Sequence, residues 1–229
     1  MAFFDPITNK LVIQVVYDGA PYSGKTESVR ALAQLFGREV ETPEEVDGRT
    51  MLFDWMQHEG GERFGRAIDC RVVSVPGQAD LAERRRTLLQ AADALIFVVD
   101  TTVDGFERSV SLFHEITGDG PDRVDAPMIV QLNKRDRLDT VNSRRAREPF
   151  AQHPSVKHIF LTWALERRGI RESFVLAVSH AVRRFAAERR TRPHDDMHST
   201  QPVRLLNPQQ LTAILAELEA FGSDPYPVG

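Results

Sequence analysis

Two short stretches of this sequence contain glycines, basic side chains and a carboxylate at spacings that would let them act together on one ligand. The first is GAPYSGKT, in which Gly19, Gly24, Lys25 and Thr26 fit the pattern G-x-x-x-x-G-K-S/T. In this pattern the backbone N–H groups surround phosphate oxygens, the lysine bridges the terminal phosphates and the threonine hydroxyl binds Mg²⁺. The stretch therefore predicts a phosphate-binding loop, with a chance glycine loop as the alternative. The other loop residues predicted to contact the ligand are Tyr22, Ser23 and Glu27.

The second stretch, NKRD, contains Asn133, Lys134 and Asp136 and follows the apolar run PMIVQL. The Asp136 carboxylate can accept hydrogen bonds from both the ring N1–H and the exocyclic amine of guanine, whereas adenine presents a mismatched edge. The Lys134 stem can cover the face of the base, and Asn133 can tie this loop to the phosphate loop. N-K-x-D alone is a weak match, but here it lies one strand–helix–strand unit after ALIFVVD. Together the stretches predict GTP or GDP as the ligand, with Mg²⁺ as the cofactor.

Apolar runs of strand length alternate with helical patterns over residues 1–190, which we predict to form one domain. Near-continuous runs such as ALIFVV are typical of central strands covered on both faces. The predicted strands are 10–17, 51–57, 66–75, 94–100, 127–132 and 157–162. The predicted helices are 25–36, 80–91, 106–116, 142–151 and 169–189. HEGGERFG predicts a hairpin between the second and third strands. The expected fold is therefore α/β with three layers and a mostly parallel six-stranded sheet containing one antiparallel pair.

Composition excludes several classes of function. The formal net charge is -4, so no basic excess exists to neutralise nucleic-acid phosphates. The single cysteine, Cys70, cannot form an internal disulfide, which fits a reducing compartment. No apolar run approaches the roughly 20 residues of a membrane span, and the N-terminus lacks the pattern of a signal peptide. We therefore expect a cytoplasmic protein with no direct membrane insertion.

A polar, proline-containing stretch at 191–206 predicts a linker. It contains His194, Asp195, Asp196 and His198, which are residue types that bind metals. Their spacing fits no closed metal site, so a solvated linker is the favoured interpretation.

Residues 207–222 predict an amphipathic helix that Asn207 can cap, followed by a tail at 223–229. One stripe of this helix is apolar and consists of Leu211, Ile214, Leu215, Leu218 and Phe221. A helix of this length is marginal alone in water, so the stripe must dock on something. Its own domain, a partner protein and a second copy of the chain, giving a dimer, all stay open.

The stretches GAPYSGKT, DGRTMLFDWM, VPGQ, ALIFVVD and VQLNKRD, in this order, resemble the motifs of Ras-like small GTPases. The nearest branch is the MglA-type bacterial GTPases of cell polarity and motility, and the resemblance covers roughly residues 10–180. It implies a switch that hydrolyses GTP slowly, with switch loops at 37–50 and 76–86. It also implies effector proteins and roadblock-type regulatory dimers that dock at the switches. The run ERRR at 83–86 is either a basic docking patch or a solvated helix face.

The same resemblance assigns roles to further residues. Thr50 would join Mg²⁺ as a second threonine ligand, Arg49 would act as an arginine finger and Gln78 would orient the attacking water. Gly77 lies beside that glutamine, and Ala164 would present a backbone group to the guanine carbonyl. These roles match what phosphoryl transfer needs, which is charge stabilisation and positioning. The alternative for the arginine and the glutamine is a place on the solvated surface.

Three positions depart from the usual small-GTPase pattern. Ser74 stands where most of these proteins have an aspartate that holds Mg²⁺ through water, a departure that the MglA branch shares, and Asp54 is a candidate substitute. Pro21 replaces a glycine beside the γ-phosphate and has no N–H to donate. Glu27 brings a carboxylate close to the phosphates, which repels them unless it points outward. These departures keep a second function open: a nucleotide-binding interaction module that hydrolyses nothing.

Overall fold

The computed structural model describes residues 2–40, 55–63, 65–75, 82–120 and 123–191 of the chain. The strands are β1 (Phe3–Phe4), β2 (Leu11–Asp18), β3 (Trp55–Arg63), β4 (Arg66–Ser74), β5 (Ala94–Asp100), β6 (Met128–Asn133) and β7 (Val156–Leu161). The helices are α1 (Lys25–Leu35), α2 (Ala82–Gln90), α3 (Val103–Thr117), α4 (Ser143–Arg147) and α5 (Ile170–Thr191). Across these described ranges, no helix has the length and apolar character that a bilayer crossing requires.

The seven strands of the described residues belong to one sheet, in which six follow the order β3-β4-β2-β5-β6-β7 and β1 pairs with β2 outside this path. Pairing is parallel from β4 through β7, and β3 pairs antiparallel with β4. The predicted α/β fold with its antiparallel pair is therefore confirmed. The sequence did not predict β1, which pairs antiparallel with the start of β2, because two residues are too few to show a period.

Two apolar cores cover the faces of the sheet. On one face Ile96 and Val98 of β5 pack with residues of α1 and α5. On the other face Leu95, Phe97 and Val99 pack with residues of α2, α3 and α4. Every residue of β5 is buried, since side chains that alternate along a strand enter both cores. This burial fixes the carboxyl ends of the central strands, from which the candidate site projects.

The predicted hairpin between the second and third predicted strands is present as β3 and β4, but its connection is shorter than the predicted stretch 58–65. The strand predicted at 51–57 continues to Arg63, so Gly60 and Gly61 lie inside β3 rather than in a turn. The register of β3 against β4 shifts between Glu59 and Glu62, at these two glycines. Glycine tolerates such an irregularity because it has no side chain to misdirect.

Two helices differ from their predicted bounds. α3 begins at Val103 instead of 106 because Thr102 caps it, with the Thr102 hydroxyl accepting from the Gly105 N–H at 3.2 Å. α4 ends at Arg147, well before 151, and turns follow it. Each remaining predicted bound that the structure describes lies within two residues of an observed one. The predicted linker, C-terminal helix and tail beyond 191 lie outside the described residues and stay predictions.

Candidate nucleotide-binding site

The described segments that were predicted to bind the nucleotide lie together at the carboxyl edge of the sheet. GAPYSGKT connects β2 to α1, NKRD begins at the last residue of β6, and Ala164 follows β7. These strands run parallel within the order β2-β5-β6-β7, so their loops meet at one edge. That edge is where open α/β sheets bind ligands.

The phosphate loop has a backbone that requires glycine at two positions. Gly19 and Gly24 have φ angles of 152° and 98°, which side-chain-bearing residues rarely adopt. A Cβ atom on Gly19 would collide with the Val98 carbonyl of β5, and one on Gly24 would collide with the Asn133 amide. In the structure, Gly24 thus permits the close approach of Asn133 in the NKRD loop.

Lys25 lies in the first turn of α1, with its ammonium group under the loop. The Lys25 Nζ donates to the carbonyl oxygens of Gly19 at 2.8 Å and Ala20 at 2.9 Å. Burial lowers the pKa of Lys25 to about 8, while the charge of Asp18 raises it and that of Arg85 lowers it. The group is therefore mostly cationic at neutral pH and is held where it can contact a phosphate.

The other loop residues differ in exposure. Ser23 is buried, Thr26 is half-buried and Tyr22 is 85% exposed, with a left-handed φ of 64°. The Glu27 carboxylate lies 2.9 Å from the Arg30 guanidinium, and both side chains are about half exposed. This ion pair compensates the Glu27 charge, so the repulsion expected from the sequence is reduced. Pro21 is exposed on the loop.

Asn133 joins three loops through its side chain. Its Nδ2 donates to the Ser23 carbonyl at 3.0 Å, and its Oδ1 accepts from the Ala164 N–H at 3.1 Å. The Thr162 hydroxyl lies 3.4 Å from the same Oδ1. The side chain is buried, so its bonds are little weakened by competing water. The predicted contact between the NKRD loop and the phosphate loop is thus present in the structure.

Lys134 is held by a carboxylate that the sequence interpretation missed. Its Nζ lies 2.8 Å from the Asp100 Oδ2, and Asp100 is buried at the end of β5. The Asp100 Oδ1 accepts from the Thr102 N–H and hydroxyl at 3.0 and 2.8 Å. A Cβ atom on Gly105 would collide with this carboxylate, so glycine leaves the room it needs. Asp100 therefore fixes both the start of α3 and the direction of the Lys134 stem.

The residues predicted to contact guanine lie on either side of this network. Asp136 is exposed in the turn that follows β6. Ala164 is buried, and its N–H, predicted to face the guanine carbonyl, donates to Asn133 instead. A bound guanine would compete with Asn133 for that N–H.

The base of the phosphate loop carries an ion pair that the sequence interpretation also missed. Asp18 precedes Gly19 and is 1% exposed, and Arg85 of α2 contacts it twice, with Nη2–Oδ2 at 2.9 Å and Nε–Oδ1 at 3.3 Å. The third guanidinium nitrogen lies 3.3 Å from the Glu115 Oε1 of α3. The Arg85 side chain is only 14% exposed, so the ERRR run is not a uniformly solvated or freely available basic face.

The predicted metal and catalytic residues are only partly described. Arg49, Thr50, Asp54, Gly77 and Gln78 all lie outside the described residues. Ser74 is described, and it is buried at the end of β4 opposite Tyr17. Over the described ranges no three His, Cys, Asp or Glu side chains group in a way that could hold a metal ion.

The sheet order and the loops at its carboxyl edge define the class as an α/β phosphate-loop protein of Ras-like architecture. No protein-family model matches the chain. The chain is 26% identical over 157 residues to the mutual gliding-motility protein MglA of Myxococcus xanthus (strain DK1622), a match covering 65% of this chain and 80% of that protein. With the fold, this match relates the chain to Ras-like small GTPases of the MglA type.

Proposed function

We propose that the chain is a molecular switch that binds GTP or GDP with Mg²⁺ and hydrolyses GTP slowly. The observation that carries this proposal is the Asn133 side chain, which bonds to the phosphate loop and to Ala164 at once. Because one side chain bonds to both, the loops proposed to bind phosphates and guanine are held in a fixed relation. Such preorganisation lowers the cost of ordering the site around a nucleotide.

The described residues fit a nucleotide at this edge. The cation of Lys25 and the N–H groups at the start of α1, which lack partners within the helix, favour a phosphate chain. The Ser23 hydroxyl is buried and finds no hydrogen-bond partner within the described part of the chain. Asp136 is exposed and can receive the guanine edge, and the stem of Lys134 can lie against the base.

Mg²⁺ would be held by the hydroxyls of Thr26 and Thr50 together with phosphate oxygens and water. This donor set fits the ion, since Mg²⁺ keeps several waters and uses few protein ligands when it binds nucleotides. When bound, Mg²⁺ neutralises charge on the terminal phosphates. Ser74, as a neutral buried hydroxyl in place of the usual carboxylate, contributes no charge to hold the ion.

Hydrolysis would depend on Arg49 and Gln78, which we assign to charge stabilisation and water alignment. The second candidate function, a module that binds nucleotide without hydrolysing it, is favoured by two observations. Ser74 offers no carboxylate, and Pro21 offers no N–H beside the γ-phosphate. Both candidates require the same binding site and differ in turnover alone.

Nucleotide extraction from the purified chain tests the proposal. We expect denatured protein to release GDP or GTP, and added GTP to convert to GDP over hours. Lys25→Met should abolish this binding, whereas Lys157→Met, which changes an exposed lysine on β7, should not. GTP that binds and persists would favour the non-hydrolysing module. Absence of guanine nucleotide in both the extraction and the binding assay would remove both candidates.

We base the proposed biological role of the chain on its similarity to the Myxococcus xanthus protein. The Myxococcus xanthus protein is named for gliding motility, and we propose a role in cell polarity or motility for this chain. It would act in the cytoplasm through effectors and a roadblock-type regulatory protein that dock at the switch loops. A co-purification that distinguishes GTP-loaded from GDP-loaded protein would identify such partners.

Deleting residues 206–229 tests the proposed C-terminal docking helix. If the helix packs on its own domain, the deletion should lower the melting temperature, because the apolar stripe would no longer cover its docking surface. If it serves a partner or a second copy, stability should stay the same and complex formation should be lost. Deletion of 223–229 alone, which spares the stripe, is the matched control. A full deletion that changes neither stability, oligomeric state nor partner binding would exclude a docking role.

A further inference from the structure

A buried negative charge lies directly below the phosphate loop. Asp18 is the last residue of β2, is 1% exposed and connects to Gly19, the first residue of the loop. A carboxylate at this place opposes the binding of a polyanion, because electrostatic repulsion is weakly screened away from water. A site proposed to hold a nucleotide therefore needs a cation that neutralises Asp18.

Arg85 supplies that cation from a different element. Its guanidinium contacts both Asp18 oxygens, at 2.9 and 3.3 Å, and this two-point geometry is the strong form of an arginine–carboxylate pair. Arg85 lies on α2 and within the region 76–86 that we proposed as the second switch loop. The position of α2 therefore determines whether Asp18 is neutralised.

The charges of Asp18 and Arg85 both act on Lys25, the lysine that we assign to the phosphates. The Lys25 ammonium donates to the Gly19 carbonyl, one residue from Asp18. Burial has the largest effect on the pKa of Lys25 and lowers it. The charge of Asp18 raises this pKa, and the charge of Arg85 lowers it. The pair is thus close enough to the proposed phosphate site for its net charge to matter there.

We infer that Arg85 sets nucleotide affinity by neutralising Asp18, so that the phosphate loop holds a nucleotide tightly only while α2 lies against β2. This inference rests on the proposed nucleotide-binding function and adds its regulation. A protein that pulls α2 away exposes the Asp18 charge to the bound phosphates and accelerates their release.

Three variants separate this charge effect from a merely structural tether. Arg85→Met removes the cation and should raise the GDP dissociation rate, measured with a fluorescent GDP analogue, by about tenfold or more. Asp18→Asn removes the anion and should bind GDP about threefold tighter or better, because the Arg85 guanidinium, left with Glu115 as its charged partner, then adds positive charge near the loop. The double variant Asp18→Asn/Arg85→Met should return to within about threefold of the unchanged protein.

The double variant decides between the two roles of Arg85. A tether is broken in the double variant as it is in Arg85→Met, so a structural role predicts weak binding in both. Arg145→Met, which breaks the exposed 3.2 Å pair with Glu107, is the matched control and should leave dissociation unchanged. Melting curves of every variant, recorded in parallel, identify any that fail to fold.

Several results would overturn the inference. Unchanged dissociation in Arg85→Met would do so, as would a double variant as weak as Arg85→Met. If Arg85→Met does not fold, the single Asp18→Asn variant still tests the sign, since weaker GDP binding there contradicts the inference. Failure of the unchanged protein to bind any guanine nucleotide removes the proposed function and the inference with it. If the unchanged protein binds guanine nucleotide and the variants do not alter GDP binding or dissociation, the inference alone is removed.

Discussion

Replacing Asp136 with asparagine is expected to weaken GTP and GDP binding by at least about tenfold, because charge-assisted hydrogen bonds contribute about 1.5–3 kcal/mol each. The carboxylate accepts from both the N1–H and the amine of guanine, whereas a carboxamide oxygen accepts without charge and its NH₂ faces the guanine amine. Equilibrium titration with fluorescent nucleotides measures the loss. Xanthine has a carbonyl where guanine has its amine, so Asp136→Asn should gain affinity for xanthosine diphosphate.

The matched control for this substitution lies in the same turn. Asp139→Asn changes an exposed carboxylate that pairs with Arg137 at 2.9 Å and has no proposed contact with the base. It should leave guanine affinity unchanged. Equal affinity of the unchanged protein for ATP and GTP would contradict the assigned role of Asp136, as would an Asp136→Asn variant that binds GTP normally.

The sheet and its loops could be predicted because their signals are local. The run ALIFVVD predicted β5 with the observed bounds, since a central strand buried on both faces must be apolar throughout. The phosphate loop has glycines where backbone angles and close contacts allow nothing larger, so its pattern is visible in a few residues. Asn133 was assigned its bridging role from the NKRD stretch, and its hydrogen bond to the Ser23 carbonyl agrees with that assignment.

The supporting ion pairs could not be predicted, because their partners lie far apart in the sequence. Asp18 pairs with Arg85, and Asp100 pairs with Lys134. One signal was available, since both aspartates end apolar strands, LVIQVVYD and ALIFVVD. A carboxylate at the end of a buried strand needs a counter-charge or several hydrogen bonds. The sequence could thus have indicated that partners exist, but the choice among its many arginines and lysines depends on the three-dimensional packing.

Glycine also explains why the connection of one hairpin was predicted to be too long. The whole stretch HEGGERFG was interpreted as the connection, because glycine-rich segments commonly join strands. In the structure Gly60 and Gly61 lie within β3 at a register shift, and the chain turns at the end of the stretch, near Gly65 with its φ of 72°. Glycine marks a departure from regular backbone in both cases, and the sequence alone does not distinguish a bulge from a turn.

Arg49→Ala is expected to slow single-turnover GTP hydrolysis by at least about a hundredfold, because an arginine that stabilises transition-state charge contributes about 10³–10⁵ in rate. GTP affinity should change little, since this interaction is strongest in the transition state. Gln78→Ala should slow the reaction similarly by leaving the attacking water unaligned. Following GTP conversion to GDP in protein preloaded with Mg²⁺ and GTP measures both rates without interference from nucleotide exchange.

The two substitutions act on one transition state, so their effects should combine to less than the product of the single losses. Arg108→Ala, which removes an exposed arginine from α3 without touching the proposed machinery, should hydrolyse GTP at the unchanged rate. Unchanged turnover in both Arg49→Ala and Gln78→Ala would show that the assigned mechanism is wrong even if GTP binds.

If the unchanged protein itself converts no bound GTP, Ser74 is the first position at which to restore a carboxylate. Ser74→Asp should then strengthen Mg²⁺-dependent GTP binding, because it returns a charge to the metal's surroundings.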